Sequence, residues 1–180
     1  RCQIGTWNRD EVGNVADPHV IEGGQYVAIS AHGAIVHATT MEAAGGVRCS
    51  LHDMLTWAGN WLVPTPQQLQ WLSPQQRHAE WTPYNPMPIS KLKREWDGTL
   101  FWGYGYGWRI GDVDGEMTVS HTGTLEGMYS AMTLLPFKKS GFVILINAEA
   151  DNARSVLIEM LTKHFTAPDK ARSVQSYADE

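Results

Sequence analysis

Long hydrophobic runs are absent from this chain. Its longest apolar stretch, residues 141–148 (GFVILINA), has the length of a strand and is far shorter than the ~18 residues that a membrane span needs. The chain opens on Arg1 and runs directly into polar sequence, so no signal peptide is expected. The absent first methionine suggests a cut product, a mature form or a trimmed chain. The sequence predicts no membrane span and leaves the compartment open.

Cysteine is scarce as well. Cys2 and Cys49 are too few for a disulfide framework, and although one bridge is possible, we expect two buried thiols. Three histidines lie in one irregular segment, His19, His32 and His37, but they lack the paired spacing that is usual for zinc ligands. We therefore expect neither a metal ion nor a cofactor.

Positive charge is in deficit. The net charge is −5 and no long block of one sign occurs, so the basic surface that binds nucleic acid is not expected. Hydrophobic residues make up 43% of the chain and charged residues 18%, values typical of a globular protein rather than a disordered one. Eight tryptophans indicate extensive aromatic packing, and no pattern marks one of them as facing a substrate.

The first quarter of the chain shows little periodicity. Turn signals occur at Asp17-Pro18, Gly23-Gly24 and Gly45-Gly46. We expect a long irregular connection with one short hairpin around residues 26–36. Because so long a loop is uncommon in a self-sufficient domain, we expect this segment to lie over a part of the fold that is not in the chain.

Helical periodicity begins at Ser50. The hydroxyl of Ser50 can cap the helix, Asp53 follows at the spacing of a capping box, and Pro64 ends the helix. Two short helices are predicted next, and each is opened by a hydroxyl residue and a proline, at Thr65-Pro66 and at Ser73-Pro74. Residues 78–98 are predicted to form a loop.

The pattern changes to strands near residue 104. Predicted strands cover residues 104–110, 116–121, 128–135 and 142–147, with a turn over 111–115. A last helix, capped by Asp151 or Asn152, reaches about Phe165, and the polar tail after it should be frayed. The sequence predicts an α+β fold: an antiparallel sheet with a C-terminal helix and a partial helical region.

The predicted elements cover only one face of this sheet, with the C-terminal helix. Its strands, residues 142–147 above all, are apolar on both faces and call for further cover or for more strands at an edge. We therefore expect an incomplete fold. Its regions would be an irregular and helical part over residues 1–98, the strands and C-terminal helix of an α/β domain over 99–166, and a tail over 167–180.

One strand end carries the candidate chemistry. The segment His121-Thr122-Gly123-Thr124 leaves a strand and leads into a turn that contains Gly127. Glycine lets a substrate approach the strand edge, a following backbone N–H can donate to a developing oxyanion, and histidine titrates near neutral pH.

These residues resemble a known family, the serine β-lactamases, penicillin-binding proteins and related esterases and D-aminopeptidases. His121-Thr122-Gly123 is similar to the family's Lys-Thr-Gly motif in its His-x-Gly form. The flanking segments agree in order over roughly residues 14–165: Asp17-Pro18-His19, AAGGVRCSLHDM at 43–54, YGYGW at 104–108, and the strand at 141–147. Such an agreement is far more specific than any single motif, and it implies a β-lactamase/transpeptidase-like fold.

The resemblance also implies roles for the four residues. His121 would orient the substrate and tune the proton network, Thr122 and Gly123 would bind substrate along the cleft, and the N–H of Thr124 would form half of the oxyanion hole. The family's Ser-x-x-Lys nucleophile and its Tyr-x-Asn motif are missing from suitable places. Because a nucleophile needs an adjacent base, this chain alone should be inert and should need a second polypeptide with the N-terminal half.

Three other segments match a motif only in letters. Ser90-Lys91-Leu92-Lys93 has the Ser-x-x-Lys pattern but lies in a proline-rich segment, and we interpret it as a solvated basic loop. Residues 103–107 lack the strand and helix context of a phosphate loop. Residues 112–115 lack the ligands of a calcium loop and are better explained as a hairpin turn.

Three hypotheses remain open. The favoured one is a hydrolase that forms a serine acyl-enzyme on esters, amides, D-amino-acid peptides or β-lactams, with a small molecule or peptide as substrate. Since histidine replaces a permanently charged lysine, β-lactams that bear a carboxylate are mildly disfavoured. The second hypothesis is a non-catalytic binding or structural module, and the third is a fragment without a function of its own. Family members are often periplasmic or secreted.

Overall fold

A computed structural model describes residues 2–29 and 34–178. The strands are β1 Trp7–Asn8, β2 His19–Glu22, β3 Gln25–Ala28, β4 Ile35–Val36, β5 Asn85–Pro86, β6 Trp102–Tyr104, β7 Arg109–Val113, β8 Glu116–Leu125, β9 Met128–Leu135 and β10 Ser140–Ile146. The helices are α1 Arg9–Val12, α2 Leu51–Leu62, α3 Pro66–Trp71, α4 Pro74–Glu80, α5 Lys91–Trp96, α6 Asp151–Thr166 and α7 Val174–Ala178, and short 3₁₀ or π turns occupy Glu42–Gly46, Pro136–Lys138 and Pro168–Lys170. Among the described residues, none of these helices is long and apolar enough to span a membrane.

Strands β5 to β10 form one antiparallel sheet in which each strand lies beside the next in the chain. Tight turns explain this order. Asp114 and Gly115, both at positive φ (50° and 82°), join Val113 to Glu116 in a two-residue hairpin, as the sequence predicts for this segment. The predicted turn over residues 111–115 is too long, because Gly111, Asp112 and Val113 belong to β7.

The sheet has six strands rather than the four that the sequence predicts. The stretch 104–110 is not one strand, since Gly105 donates to the carbonyl of Trp108 (2.8 Å) in a turn that separates β6 from β7. The strand prediction is wrong here because glycines that alternate with larger residues resemble the two-residue period of a strand. Residues 78–98 are also more than a loop: they contain β5 and α5, and Ser90 caps α5 by accepting from the N–H of Lys93.

Both faces of the sheet are covered by this chain, contrary to the expectation of an open second face. On one face Ala58 and Trp61 of α2 pack on Ile110, Val119 and Leu134. On the other face three residues of α6 pack on strands β9 and β10: Ile158, Leu161 and Phe165. The uncovered face was one of our reasons to expect an incomplete fold, and that reason does not hold. Apolar surface nevertheless remains, since Leu51, Leu55 and Leu145 are 43–50% exposed.

The predicted helix starts are confirmed. Ser50 caps α2 by accepting from the N–H of Asp53, and Thr65 and Ser73 each form a capping box with the glutamine three residues later. The last helix begins at Asp151, but its N-cap is Ala150 rather than either of the two predicted residues.

The N-terminal segment differs from its prediction in two ways. Its hairpin, formed by β2 and β3, begins upstream of the predicted residues 26–36 and overlaps them at 26–28, and β1 pairs with β4. Cys2 and Cys49 are joined in a disulfide, so the expectation of two buried thiols is wrong. The reason is an antiparallel bridge between Gln3 and Arg48, which brings the two cysteines side by side although they are 47 residues apart.

The tail after α6 is ordered rather than frayed over the described residues 167–178. Tyr177 of α7 is 6% exposed, and its ring lies edge-on to Trp96 at 5.0 Å between centroids. The sequence prediction failed because this contact joins two short polar segments whose single aromatic residues show no periodicity.

Candidate active site

Strand β8 extends beyond its neighbour β7. The β7 pairing ends where Arg109 faces Ser120, whereas the β9 pairing continues to Leu125, so within the described residues His121–Leu125 is paired on one side only. A two-residue turn joins Leu125 to Met128, which makes them a hydrogen-bonded pair. The alternation of an antiparallel ladder then directs the N–H groups of Thr122 and Thr124 away from β9, toward the open side.

The side chain of Arg154, on α6, is hydrogen-bonded to the end of strand β8. Its buried guanidinium donates to the carbonyl of Gly123 (2.9 Å) and to Oγ1 of Thr124 (2.8 Å), and it also pairs with Asp151. The same group lies 4.8 Å from the ring of Tyr129, which faces Thr124 across the ladder. Arg154 thereby holds the backbone of Gly123 and the side chain of Thr124, two of the four predicted site residues.

The Asp17-Pro18-His19 segment lies against the turn after β8. The N–H of His19 donates to the carbonyl of Gly127 (3.2 Å), and a Cβ at Gly127 would come within 2.7 Å of Pro18 and His19. The backbone carbonyl oxygen of Asn147, at the end of β10, lies 2.8 Å from Nδ1 of His19. The side-chain amide of Asn147 donates to the carbonyl of Asp17. Three of the sequence motifs therefore meet at one end of the sheet.

His121 is surrounded by polar partners. Its Nε2 lies 2.7 Å from the hydroxyl of Tyr104, and Arg109 donates to Oγ1 of the adjacent Thr122 (3.1 Å). Burial lowers the pKa of His121, the positive charge of Arg109 lowers it further, and a backbone hydrogen bond with Thr122 partly opposes them. The imidazole is therefore neutral at pH 7.

A cavity of about 200 Å³ lies beside these groups. Its lining includes both predicted and unpredicted residues: Lys93, Arg109, Ser120, His121, Thr122 and Glu159. Gly123 and Thr124 are not part of the lining and continue the strand beyond it. The structure thus places two of the four predicted residues at the cavity and the other two on the open edge next to it.

Two carboxyl groups, Asp97 and Glu159, meet at the inner end of this region. Asp97 is 2% exposed, and its buried Oδ1 has no hydrogen-bond partner among the described residues when Glu159 carries no proton to donate. Burial first, and then the hydrogen bond with Asp97 and the negative charge there, raise the pKa of Glu159 to about 8 against the opposing effect of Lys93 and Lys163. A protonated Glu159 that donates to Asp97 accounts for the otherwise unpaired oxygen.

This pair should make stability depend on pH. Because the pKa of Glu159 is higher in the folded state than the ordinary value, the folded protein binds the proton more tightly, and stability is lost as pH rises from about 4.5 to 8. We expect the free energy of unfolding to fall by about 2 kcal/mol between pH 5 and pH 8, a value that allows for solvent entering the cavity. Glu159→Gln should flatten this dependence, as measured by urea unfolding across the pH range.

The matched control for that measurement is Glu95→Gln, on exposed α5 surface. Glu95 lies 3.7 Å from Lys91 in an exposed pair, so its replacement should leave the pH dependence unchanged. An equally steep fall in the Glu159→Gln protein would show that Glu159 is not the titrating group.

The Ser90 motif contributes to the structure of α5. Ser90 starts a six-residue helix instead of lying in a loop, and its hydroxyl oxygen accepts from the backbone N–H of Lys93. The ammonium group of Lys93 lies 3.5 Å from Asp97 and 4.3 Å from the ring centroid of Trp102. The serine and the lysine side chain therefore have separate structural roles.

Two of the three histidines considered for zinc, His19 and His37, lie in the described part of the chain and belong to no metal-binding group there. Within residues 2–29 and 34–178, no three His, Cys, Asp or Glu side chains are grouped so that they could hold a metal ion. His19 is engaged at the end of β8, and His32 lies outside the described residues.

Sequence reasoning missed four residues of this site: Tyr104, Arg109, Arg154 and Glu159. Tyr104 and Arg109 lie in or next to the YGYGW segment, which was noted only as a family-like strand. Arg154 and Glu159 carry no local signal, because their importance comes from the packing of α6 under the sheet.

An antiparallel sheet with helices on both faces and an open strand end at His-Thr-Gly defines a β-lactamase-like domain. The family model described as Beta-lactamase matches residues 4–164, and the chain belongs to that family. Its fold is similar to the octameric penicillin-binding protein homologue from Pyrococcus abyssi, with a TM-score of 0.69, 20% identity and 89% of this chain covered. The match covers 34% of that chain, so this protein spans about a third of the structure it resembles. No curated protein matches the sequence.

Proposed function

We propose that this chain forms one wall of the reaction pocket of a serine hydrolase that works through an acyl-enzyme. The observation that carries the proposal is the open edge of β8, where the N–H of Thr124 points away from β9 beside His121. A donor fixed in this way can stabilise the oxyanion of an acyl-transfer reaction without reorganising. Thr122 and Gly123 offer the adjacent backbone edge to an extended acyl group or peptide.

The attacking serine must come from sequence outside residues 1–180. Acyl transfer needs a hydroxyl activated by an adjacent base, and Ser90, the candidate in this sequence, is used to cap a helix. We propose that a Ser-x-x-Lys segment on a second polypeptide completes the site. The exposed leucines of α2 and β10, Leu51, Leu55 and Leu145, are apolar surface that such a partner can cover.

The substrate class is an ester, an amide, a D-amino-acid peptide or a β-lactam. Replacing lysine by His121 removes one permanent charge, but the guanidinium of Arg109 lies 3.1 Å from Oγ1 of Thr122 and supplies another. We therefore propose that a carboxylate on the substrate is tolerated, which reverses the weak preference that the sequence suggests.

The experiment compares covalent labelling of this chain alone and of the protein from its natural source. We expect no adduct of a fluorophosphonate or benzylpenicillin on residues 1–180 by intact-mass spectrometry. In the natural preparation we expect one adduct, on a serine of a Ser-x-x-Lys segment outside them. Labelling of a serine within this chain, or no labelling in either preparation, would contradict the proposal.

A non-catalytic binding module of the same fold is the second candidate. The observation that favours it is the engagement of Nε2 of His121 by Tyr104, which leaves that nitrogen unavailable to a substrate. In this case the natural preparation also stays unlabelled while a non-hydrolysable D-amino-acid peptide still binds.

A further inference from the structure

The hydrogen bond between Tyr104 and His121 connects two strands that are not neighbours. Tyr104 lies at the end of β6 and His121 on β8, with β7 between them, and Tyr104 Oη is 2.7 Å from His121 Nε2. The two rings meet edge to face at 5.9 Å between centroids. β7 starts at Arg109, whose partner on β8 is Ser120. His121 is the next residue of β8, so its contact with Tyr104 lies where the open part of β8 begins.

The backbone around Tyr104 is held by two close approaches. A Cβ at Gly103 would lie 2.6 Å from Cβ of Pro83, and one at Gly105 would lie 2.5 Å from the carbonyl oxygen of Glu80. Tyr104 also pairs with Asn85 on one side and with Arg109 on the other. The glycine alternation of this motif therefore lets the strand pack tightly, and the tyrosine hydroxyl is presented at a defined position.

The hydrogen-bonding state of the imidazole follows from its surroundings. Burial and Arg109 lower the pKa of His121, so the ring is neutral at pH 7 and carries one N–H. The backbone hydrogen bond with Thr122 raises that pKa, which means that the ring donates in it. Since Nε2 faces the phenol, Nδ1 is the nitrogen left to donate, and Nε2 accepts from the Tyr104 hydroxyl.

We propose that Tyr104 is a positioning residue that holds His121 as its Nδ1–H tautomer by donating its hydroxyl hydrogen to Nε2. The ring orientation and both nitrogens are then fixed before a substrate arrives. The importance of this hydrogen bond for catalysis rests on the proposed function, because His121 orients substrate only if a nucleophile completes the pocket. The tautomer itself does not depend on it.

The test is a tautomer measurement on the chain labelled with ¹⁵N-histidine. Long-range ¹H–¹⁵N spectra at pH 7.5 distinguish a protonated ring nitrogen from a pyridine-type one, and His121→Gln identifies the signals. We expect a pyridine-type Nε2 and a protonated Nδ1 in the unmodified chain. In Tyr104→Phe the bond to the Thr122 backbone still favours Nδ1–H, so we expect the Nε2–H form, which free histidine favours, to gain population without replacing the Nδ1–H form.

Tyr106→Phe is the matched control, because Tyr106 lies two residues away in the same motif and is 62% exposed. It should leave the His121 tautomer unchanged. A protonated Nε2 in the unmodified chain would overturn the proposal even if Tyr104→Phe failed to fold, and so would an unchanged tautomer in a folded Tyr104→Phe protein. Failure of the serine labelling leaves this result intact, so the two proposals fail separately.

Discussion

Replacing Trp61 with alanine is expected to lower the free energy of unfolding by about 3–5 kcal/mol. Trp61 is 6% exposed and joins three elements: its ring stacks on Trp81 at 5.4 Å and meets Trp108 edge-on at 5.5 Å, and Arg77 lies 5.1 Å from it. Removing the indole leaves a cavity where α2 packs against the sheet. Rigid aromatic neighbours cannot close such a cavity, so both the buried area and the packing contacts are lost.

Denaturant unfolding followed by far-ultraviolet circular dichroism measures this effect without relying on tryptophan emission. Trp71→Ala provides the control, since Trp71 is 64% exposed and its loss should cost less than about 1 kcal/mol. Equal losses in the two variants would show that α2 to α4 do not form a packed layer on the sheet.

Replacing Thr124 with proline is expected to reduce the acylation rate of the completed enzyme by about 100- to 1,000-fold. Proline removes the N–H that we propose as an oxyanion donor. It should not break the sheet, because the ladder directs this N–H away from β9 and proline is tolerated where no partner strand is bonded. Single-turnover labelling rates with a fluorophosphonate measure the change in the protein that carries the serine.

Thr124→Val separates the N–H from the hydroxyl. Valine keeps the backbone donor and the side-chain shape but loses the bond from Arg154 to Oγ1. We expect a loss of less than 10-fold, because Arg154 still holds the carbonyl of Gly123. If valine and proline were equally damaging, the hydroxyl rather than the backbone N–H would be the important group.

Helix starts were predictable because their causes are local. Ser50, Thr65 and Ser73 each satisfy backbone N–H groups within the next three residues, so their positions can be read from neighbouring letters. The same holds for the hairpin at Asp114-Gly115, where the backbone needs residues that accept positive φ.

The missed elements depend on distant partners. Strand β5 is two residues long and exists because β6 lies beside it, and α7 is held by the contact of Tyr177 with Trp96. The disulfide forms because the bridge between Gln3 and Arg48 aligns two cysteines that are far apart in sequence. Periodicity within one segment contains no information about such contacts.

By itself, the sequence determined the family resemblance, the order of helices before strands and the strand end that carries His121 to Thr124, because each of these depends on short-range patterns. Only the tertiary structure decided that β8 extends beyond β7 and that Arg154 is hydrogen-bonded to the end of β8. It also decided that Tyr104 contacts His121 and that Asp97 and Glu159 meet beside the cavity. These features join residues on separate strands and helices, and their relative positions follow from how the sheet and α6 pack rather than from any local pattern.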